Sequence, residues 1–187
     1  MTEASASLAE PNDADAGLVA RLRAGDEDAF ELLVARFQAP LFRYLRGLVA
    51  DAELAEDLLQ ETFLRAFRAI GGLSDPATLR GWLYRIAHNQ AISALRRRRL
   101  VSWLPLSLWL HLRAPEPAML EAARVEQALA QLPTQLRAPL LLHLVAGFSY
   151  AEVAELLRLT EPAVRMRISR ARAAFRAAYA SENDDAP

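Results

Sequence analysis

The sequence predicts an all-α protein of two small helical domains joined by a linker. Apolar residues recur at helical spacing along most of the chain, and no segment shows the strict alternation that is typical of a strand. Pro105, Pro115 and Pro117 bound a central segment and separate the two helical parts. At 187 residues, of which 53% are apolar and 24% charged, the chain has enough apolar side chains for one or two small cores.

The N-terminal domain is predicted over residues 15–99, after a flexible tail of residues 1–14 that is rich in Ala, Ser, Glu and Asp. Gly25 and Pro40 punctuate its first helical part. Pro40 can either break a helix or occupy its first turn, where the missing N–H costs nothing. Further helices are predicted over residues 52–70 and 79–99, with a loop rich in Gly, Ser, Asp and Pro between them.

The C-terminal domain is predicted over residues 118–180 and is followed by an acidic tail of residues 181–187. Its first two helices are separated by the break that Leu132-Pro133 introduces. These helices are predicted over residues 119–131 and 134–145.

Capping signals mark the last two helices of the C-terminal domain. Ser149 precedes the helical pattern of residues 150–157, and Glu152 three positions later completes the pattern of a capping box. Thr160 can cap the next helix. Arg158 lies in the turn between the two helices, where it adopts either a right-handed conformation or a left-handed one that costs about 1 kcal/mol.

The last helix combines an apolar stripe with a row of arginines. Val164, Ile168, Ala171 and Phe175 recur at helical spacing, and five arginines occupy other positions of residues 161–178. A short helix, a tight turn and an arginine-rich helix are typical of a helix-turn-helix, whose second helix binds in the DNA major groove.

Charge is strongly segregated along the chain, although the net charge is −1. Residues 1–61 carry 5 Arg and 13 acidic residues, whereas residues 62–100 carry 8 Arg and 1 acidic residue. Residues 161–178 form a second basic stretch with 5 Arg and 1 Glu. Two basic regions and an acidic one suit a DNA-binding protein that also has a protein partner. All 22 basic residues are arginine, which genomic base composition explains more simply than function does.

Two segments of the N-terminal domain carry polar side chains in informative patterns. The sequence DLLQETF contains Asp57, Gln60 and Glu61, which can share one helix surface; an ordinary solvated face is the alternative. In residues 82–99, Trp82 is followed by Arg, His, Asn and Gln side chains and then by four consecutive arginines. An aromatic ring beside cationic and amide groups suits the stacking and reading of an unpaired base. A core tryptophan followed by a solubilising basic end explains this second pattern equally well.

Together these segments resemble the sigma-70 family of bacterial transcription initiation factors, specifically its extracytoplasmic-function (ECF) type. DLLQETF resembles the polymerase-binding motif of region 2.2, and LRGWLYRIAHNQAISALRRRR resembles regions 2.3 and 2.4. Leu132-Pro133 with Arg137, followed by FSYAEVAELL and VRMRISRAR, resembles region 4. The resemblance implies a protein that binds core RNA polymerase and directs promoter-specific initiation.

The resemblance also implies roles for individual residues. Polymerase binding, through the coiled coil of the β′ subunit, is expected at Asp57, Leu58, Gln60 and Glu61, and the β flap is expected as a further contact on the polymerase. The −10 element, held as a melted strand, is expected to contact Trp82, Arg85, Asn89, Arg96 and Arg97. The loop over residues 71–79 is the candidate pocket for a flipped base. The −35 element, read as duplex, is expected to meet Arg165, Met166, Ser169 and Arg170 at its bases and Arg167 and Arg172 at its phosphates.

Several classes of function are excluded by the sequence. There is no cysteine, no Gly-rich phosphate loop and no nucleophile motif, so no catalytic residue, cofactor or small-molecule substrate is expected. His88, His111 and His143 lack metal-ligand spacing, so no metal site is expected. The chain lacks an N-terminal signal segment and an apolar run of roughly 18 residues, which favours a cytoplasmic protein. The resemblance implies an anti-sigma partner, through which any membrane contact would be indirect.

The linker, predicted over residues 100–117, departs from the family pattern. Its segment LVSWLPLSLWLHL has no charge and two tryptophans, whereas linkers of the family are commonly polar. Three interpretations stay open: packing between the domains, docking of an anti-sigma factor, or contact with a membrane surface. Two other functions also stay open. One is a helix-turn-helix regulator that binds duplex DNA without core polymerase, and the other is an interaction protein that binds an anti-sigma factor but no DNA.

Overall fold

The computed structural model describes residues 13–101 and 117–184. Within these residues all regular structure is helical, which confirms the all-α prediction. The N-terminal lobe contains α1 (Asp13–Arg23), α2 (Glu27–Val49), α3 (Ala52–Ala69) and α4 (Leu79–Val101), with the 3₁₀ turns Ile70–Gly72 and Pro76–Thr78 before α4. The C-terminal lobe contains α5 (Pro117–Gln131), α6 (Thr134–Leu144), α7 (Tyr150–Leu157) and α8 (Glu161–Asp184).

The central helix of the N-terminal lobe is α2, which packs against α1, α3 and α4. Asp26 caps α2 by accepting a hydrogen bond from the Ala29 N–H. Pro40 lies inside α2, so it neither breaks a helix nor begins one. An interior proline costs about 3 kcal/mol. Leu33 and Leu41 on either side of Pro40 are fully buried. Since each buried leucine contributes about 1.5–3 kcal/mol, their packing offsets the cost of the proline.

In the C-terminal lobe, α8 packs against α5, α6 and α7. The predicted capping box is confirmed, because Ser149 Oγ accepts from the Glu152 N–H and the Glu152 carboxylate accepts from the Ser149 N–H at 2.7 Å. Thr160 Oγ1 accepts from the Ala163 N–H at 3.4 Å and caps α8 as predicted. These caps fix the angle at which α8 leaves the turn and therefore which of its faces points outward.

The two lobes pack directly on each other, and α2 and α4 contact α5, α6 and α7. Phe148, in the loop between α6 and α7, is 3% exposed and lies at the centre of this interface. Its ring meets the Tyr84 ring edge to face at 5.0 Å between centroids. The Arg80 guanidinium lies 3.9 Å from the centre of the Phe148 ring and donates a hydrogen bond to the Ala146 carbonyl. The buried side chains of both lobes therefore form one continuous core.

The approach of α2 to α6 depends on Gly47. A Cβ atom at this position would lie 3.0 Å from Leu141 Cδ2 of α6, closer than ordinary van der Waals contact. Beside it, Arg46 forms a two-point ion pair with Glu126 of α5, at 3.1 and 2.6 Å. Both charged side chains are partly exposed, so the pair contributes at most about 1 kcal/mol and the apolar contacts dominate the interface.

Helix boundaries follow the predictions closely except at the domain ends. α4 extends to Val101 and α5 begins at Pro117, so both take residues from the predicted linker. α8 continues to Asp184, inside the predicted acidic tail. Residues 1–12, 102–116 and 185–187 lie outside the described residues, and the interpretations of the apolar linker fall there.

The turn between α7 and α8 holds Arg158 in a left-handed conformation, with φ 55° and ψ 49°. The Leu159 N–H donates to the Ala154 carbonyl at 2.8 Å and the Arg158 N–H donates to the Glu155 carbonyl at 3.2 Å. These two bonds define a Schellman turn, a helix end in which glycine usually occupies the left-handed position. Of the two conformations open to Arg158, the structure has the strained one.

Replacing Arg158 by glycine is expected to stabilise the protein. The left-handed conformation costs a residue with a Cβ about 1–2 kcal/mol, and glycine avoids this cost. Glycine also has a greater conformational entropy in the unfolded chain, which cancels roughly half of that gain. We expect Arg158→Gly to raise the free energy of unfolding by about 0.5–1 kcal/mol and the melting temperature by roughly 2 °C. Arg170→Gly, in a right-handed position of α8, is the control and is expected to destabilise. A lower melting temperature for Arg158→Gly would contradict the strain argument.

Enlarging Gly47 is expected to separate the lobes without unfolding them. A phenylalanine at this position cannot fit against Leu141, so Gly47→Phe should increase the radius of gyration measured by small-angle X-ray scattering while the helical circular dichroism is kept. Gly17→Phe is the matched control, because nothing lies within 4 Å of a Cβ at that helical position. An unchanged radius for Gly47→Phe would show that the interface accommodates the ring.

Candidate nucleic-acid interface

One face of α8 is buried and the opposite face is open, as a recognition helix requires. Val164, Ile168 and Ala171 are at most 1% exposed. Met166 is 47% exposed on the outer face, in the first turns after the helix-turn-helix bend. The other predicted −35 contacts on exposed positions of α8 are Arg165, Ser169, Arg170 and Arg172.

Arg165 does not extend freely from α8. Its Nε donates to Glu161 Oε1 at 3.1 Å, and its guanidinium lies 4.5 Å from the centre of the Tyr150 ring. The Tyr150 ring in turn stacks on His143, with centroids 4.4 Å apart. His143 Nδ1 donates to the Phe148 carbonyl at 2.7 Å, so this stack is fixed to the loop at the lobe interface. Sequence reasoning had placed Arg165 at the bases but had found neither Glu161 nor Tyr150 beside it.

The predicted −10 residues lie on two different faces of α4. Trp82, Asn89 and Arg97 line an open cleft of about 1050 Å³ between α3 and α4, here called the α3–α4 cleft. Arg85 instead points towards the C-terminal lobe, where its guanidinium donates to the Glu155 carboxylate of α7 at 3.2 Å. Arg96 lies near this second face and lines a separate groove between the lobes. The structure therefore brings three of the five residues together and separates the other two.

The groove between the lobes, here called the interlobe groove, has a volume of about 490 Å³. Arg96 of α4 and Arg167 of α8 both line it, so one predicted −10 contact and one predicted −35 contact share a site in this closed arrangement. Thr134 and Gln135 at the start of α6 form another part of its wall. Arg167 is half-buried there, unlike the other predicted −35 contacts.

The arginines at the end of α4 point in different directions. Arg97 lines the α3–α4 cleft and Arg96 lines the interlobe groove. Arg98 donates to the Asp51 carboxylate at 2.8 Å, which joins the end of α4 to the N-cap residue of α3. The Asp51 carboxylate also accepts from the Leu54 N–H, and these two interactions lower the pKa of Asp51. These three side chains are therefore spread around the helix and do not form a single patch.

The predicted polymerase-binding residues form one edge of the α3–α4 cleft. Asp57 and Glu61 line it, and Glu61 Oε1 accepts from Arg65 at 2.7 Å. Gln60 is exposed on α3. Leu58 is only 7% exposed, so it packs in the core and offers little apolar surface to a partner.

Sequence reasoning missed two exposed apolar residues on α3. Leu64 is 46% exposed and Phe67 is 41% exposed, and the Phe67 ring packs edge to face on Phe30 of α2 at 5.2 Å. Phe67 lies in the last turn of α3, and its contact with Phe30 covers only part of the ring.

The loop predicted to hold a flipped base is anchored by apolar residues. Ile70, Leu73 and Leu79 are at most 5% exposed. Asp75 caps the second 3₁₀ turn by accepting from the Ala77 N–H at 2.9 Å. The loop surface between these anchors is exposed and short.

His88 of α4 is a partly buried titratable group. Its Nδ1 is hydrogen-bonded to the Tyr44 hydroxyl at 2.8 Å, and Tyr44 is completely buried. Burial lowers the pKa of His88 to about 4 and raises the pKa of Tyr44. Both groups are therefore neutral at pH 7, and they stabilise α4 against α2 as a polar contact within the core.

No group of three or more His, Cys, Asp or Glu side chains that could hold a metal ion occurs among the described residues. None of the helices within residues 13–101 and 117–184 is both long and apolar enough to cross a membrane.

Comparison with known proteins identifies the family. The family model described as Sigma-70 region 2 matches residues 33–101, and that described as Sigma-70, region 4, matches residues 122–175. The RNA polymerase sigma-H factor of Pseudomonas aeruginosa is 36% identical over 176 residues, which cover 86% of this chain and 91% of that protein. The ECF RNA polymerase sigma factor SigM of Mycobacterium tuberculosis is 36% identical over 160 residues, which cover 85% and 81%.

A solved structure of CnrH in complex with the cytosolic domain of CnrY has the same fold. It matches with a TM-score of 0.71 and 32% identity over 92% of this chain and 99% of that one. CnrH of Cupriavidus metallidurans is an RNA polymerase sigma factor.

A two-lobed helical protein with these matches belongs to the sigma-70 family of transcription initiation factors. Within that family it is a sigma factor of the extracytoplasmic-function type. Both statements confirm the resemblance that the sequence motifs indicated.

The buried state of His88 makes stability depend on pH. The folded pKa of about 4 lies below the ordinary value of 6.5, so the unfolded chain binds the proton first as the pH falls. This contribution to stability is complete above pH 6.5 and is lost between pH 6.5 and pH 4. We expect the free energy of unfolding, measured by urea titration, to fall by about 2 kcal/mol from pH 7.5 to pH 5.

His88→Gln removes the titration while it can keep a hydrogen bond to Tyr44. Over the same pH range, the free energy of unfolding of this variant should change by less than about half of the change in wild type. The lowered pKa of Asp51 acts only below its ordinary value of 3.8, so it does not contribute in this window. Equal pH dependence in the two proteins would show that another group carries the effect.

Proposed function

We propose that this chain binds core RNA polymerase through α3 and directs initiation at promoters whose −35 element it reads as duplex and whose −10 element it holds as a melted strand. The observation that carries the proposal is a combination of three surfaces: the arginine-bearing outer face of α8, the cleft where α4 presents Trp82, Asn89 and Arg97, and the acidic edge on α3. The sigma-70 family supplies the functional context for each surface.

The polymerase contact is assigned to the exposed polar residues of α3, namely Asp57, Gln60 and Glu61. Their carboxylates and amide suit an arginine-bearing surface such as that expected on the β′ coiled coil. Leu64 and Phe67 are more exposed than Leu58 and are better placed for an apolar contact. The contact with the β flap is assigned to the apolar groove bordered by Leu144, the last residue of α6, and by Val145 directly after it.

The −10 strand is assigned to the α3–α4 cleft. Trp82 offers a ring for base stacking, Asn89 offers an amide for a base edge, and Arg97 offers a charge for phosphate. Stacking of one base on an aromatic ring contributes about 1–3 kcal/mol, and flipping a base out of the duplex costs a few kcal/mol. One stacked base therefore offsets part of the cost of melting, and contacts made together with the polymerase supply the rest.

The −35 duplex is assigned to the outer face of α8. Met166 and Ser169 are placed for base edges, together with Arg165 and Arg170, while Arg172 is placed for phosphate. Arg85 and Arg167 face the other lobe or the interlobe groove and are partly buried, so separation of the lobes would expose them further. Arg96 borders the same groove but is already exposed.

Promoter geometry makes this separation necessary. Elements centred about 25 base pairs apart lie roughly 85 Å apart along the duplex. A compact chain of this length has a radius of gyration of only about 16 Å. The closed form therefore cannot hold both elements at once, so the lobes have to part. The chain from Val101 to Pro117 can span at most about 58 Å when fully extended.

The chain makes no covalent change in this proposal and acts only by binding, so it is not an enzyme. Its place would be the cytoplasm, beside polymerase and DNA. An anti-sigma factor is the further partner we propose, in line with the CnrH structure, whose title names the cytosolic domain of CnrY as its partner.

The proposal is tested by run-off transcription from genomic DNA with purified full-length chain and core RNA polymerase. Wild type should produce discrete transcripts that core enzyme alone does not. Asp57→Ala combined with Glu61→Ala should weaken core binding about tenfold, because two charge-assisted contacts are lost. The matched control is Asp28→Ala combined with Glu31→Ala, which removes the same charge from exposed positions of α2. This variant should bind core polymerase as wild type does.

Two results would overturn the proposal. One is the absence of initiation at every site with the folded wild-type chain. The other is tight, specific binding to promoter duplex by the chain alone with no effect of added polymerase, which would instead identify an ordinary helix-turn-helix regulator.

A further inference from the structure

Arg165 is held from two sides at the N-terminal end of α8. The Glu161 carboxylate lies one turn earlier on the same helix and accepts from Arg165 Nε at 3.1 Å and also from a terminal guanidinium nitrogen. The Tyr150 ring, at the start of α7, lies under the guanidinium plane at 4.5 Å. An arginine on the surface otherwise samples many rotamers, so these two contacts select one orientation.

The Tyr150 platform is itself fixed. Its ring stacks on His143 at 4.4 Å and with an angle of 26° between the ring planes. A carbonyl oxygen only accepts, so His143 Nδ1 carries the proton in its bond to the Phe148 carbonyl. Phe148 is 3% exposed. The orientation of Arg165 therefore depends on a series of contacts, through Tyr150 and His143, that ends at a residue of the core.

Orientation matters for reading bases and not for binding phosphate. Two parallel donors must meet both acceptors of a guanine edge for an arginine to discriminate, whereas any nearby cation is attracted to the DNA backbone. The side chain of Arg165 is 60% exposed and that of Glu161 is 41% exposed, so the pair lies at the surface where a base edge can reach it.

We propose that Glu161 and Tyr150 are specificity-determining positioning residues that hold the Arg165 guanidinium for one base pair of the −35 element. They act through Arg165 and contribute little to general DNA affinity. Glu161 in fact lowers that affinity, because its carboxylate offsets one positive charge of the recognition helix. This inference rests on the proposed function, since it concerns how the same helix reads its promoter.

The test uses holoenzyme formed from core polymerase and the full chain, on a promoter found by run-off transcription and randomised over the −35 element. Arg165→Ala first identifies the base pair that Arg165 reads, as the position at which preference is lost. Wild-type preference at that position is expected to be about tenfold or more.

Glu161→Ala should reduce the preference at that same base pair by at least about threefold and leave the other positions unchanged. The freed guanidinium can then meet a phosphate, so the slope of log affinity against log salt should steepen by about one. Tyr150→Leu should reduce the same preference, whereas Tyr150→Phe, which keeps the ring, should retain it. Glu31→Ala is the charge-matched control, because it removes one exposed carboxylate from α2, away from α8 and from the predicted DNA contacts.

The outcomes separate the two levels of inference. If wild-type holoenzyme does not initiate or shows no −35 preference, the proposed function fails. If wild type discriminates but Glu161→Ala and Tyr150→Leu discriminate equally well or better at the Arg165 position, the positioning role fails and the proposed function stands. Melting temperatures within a few degrees of wild type show that the variants are folded, and a uniform loss at all positions counts against positioning.

Discussion

The contact of Phe148 with Tyr84 and Arg80 determines which surfaces this molecule exposes. It joins a loop of the C-terminal lobe to α4 through buried rings and one guanidinium, so salt screens it little. The ion pairs Arg46–Glu126 and Arg85–Glu155 lie at the rim and are partly exposed, so they add little energy. Apolar burial therefore holds the lobes together, and the rim charges fix the register in which they meet.

This contact also divides the surface of α4. Residues such as Trp82 and Asn89 form one stripe that stays open beside α3, while Arg85 and Arg96 face the C-terminal lobe. Opening the lobes would release the cationic residues of the second stripe, but it would also uncover apolar neighbours such as Ile92. A partner that covers apolar surface can offset that cost, and so opening is naturally coupled to assembly with a larger complex.

Local signals in the sequence were sufficient to predict the helices and to recognise the family. The capping box at Ser149 and the cap at Thr160 are short-range patterns, and both are present as predicted. What periodicity could not provide is long-range packing. Leu58 belongs to the polymerase motif by spacing but is buried in the lobe, and Pro40 sits within a helix because its neighbours are buried. Arg85 is separated from Trp82 because it faces the C-terminal lobe. The local sequence of α4 carries no information about where that lobe packs.

Arg165 differs from the other arginines of α8 in its surroundings, and a count of arginines does not show this difference. A guanidinium that only neutralises phosphate gains nothing from a nearby carboxylate, since the carboxylate reduces the field that attracts DNA. A guanidinium that reads a base edge is oriented by a nearby carboxylate, although the carboxylate lowers the affinity for DNA. Glu161 is the single acidic residue among the five arginines of residues 161–178, and it lies one helical turn from the arginine that also has an aromatic platform. Under this proposal the same α8 surface combines free charge, which would set how strongly DNA is held, with one constrained donor pair, which would set which sequence is held.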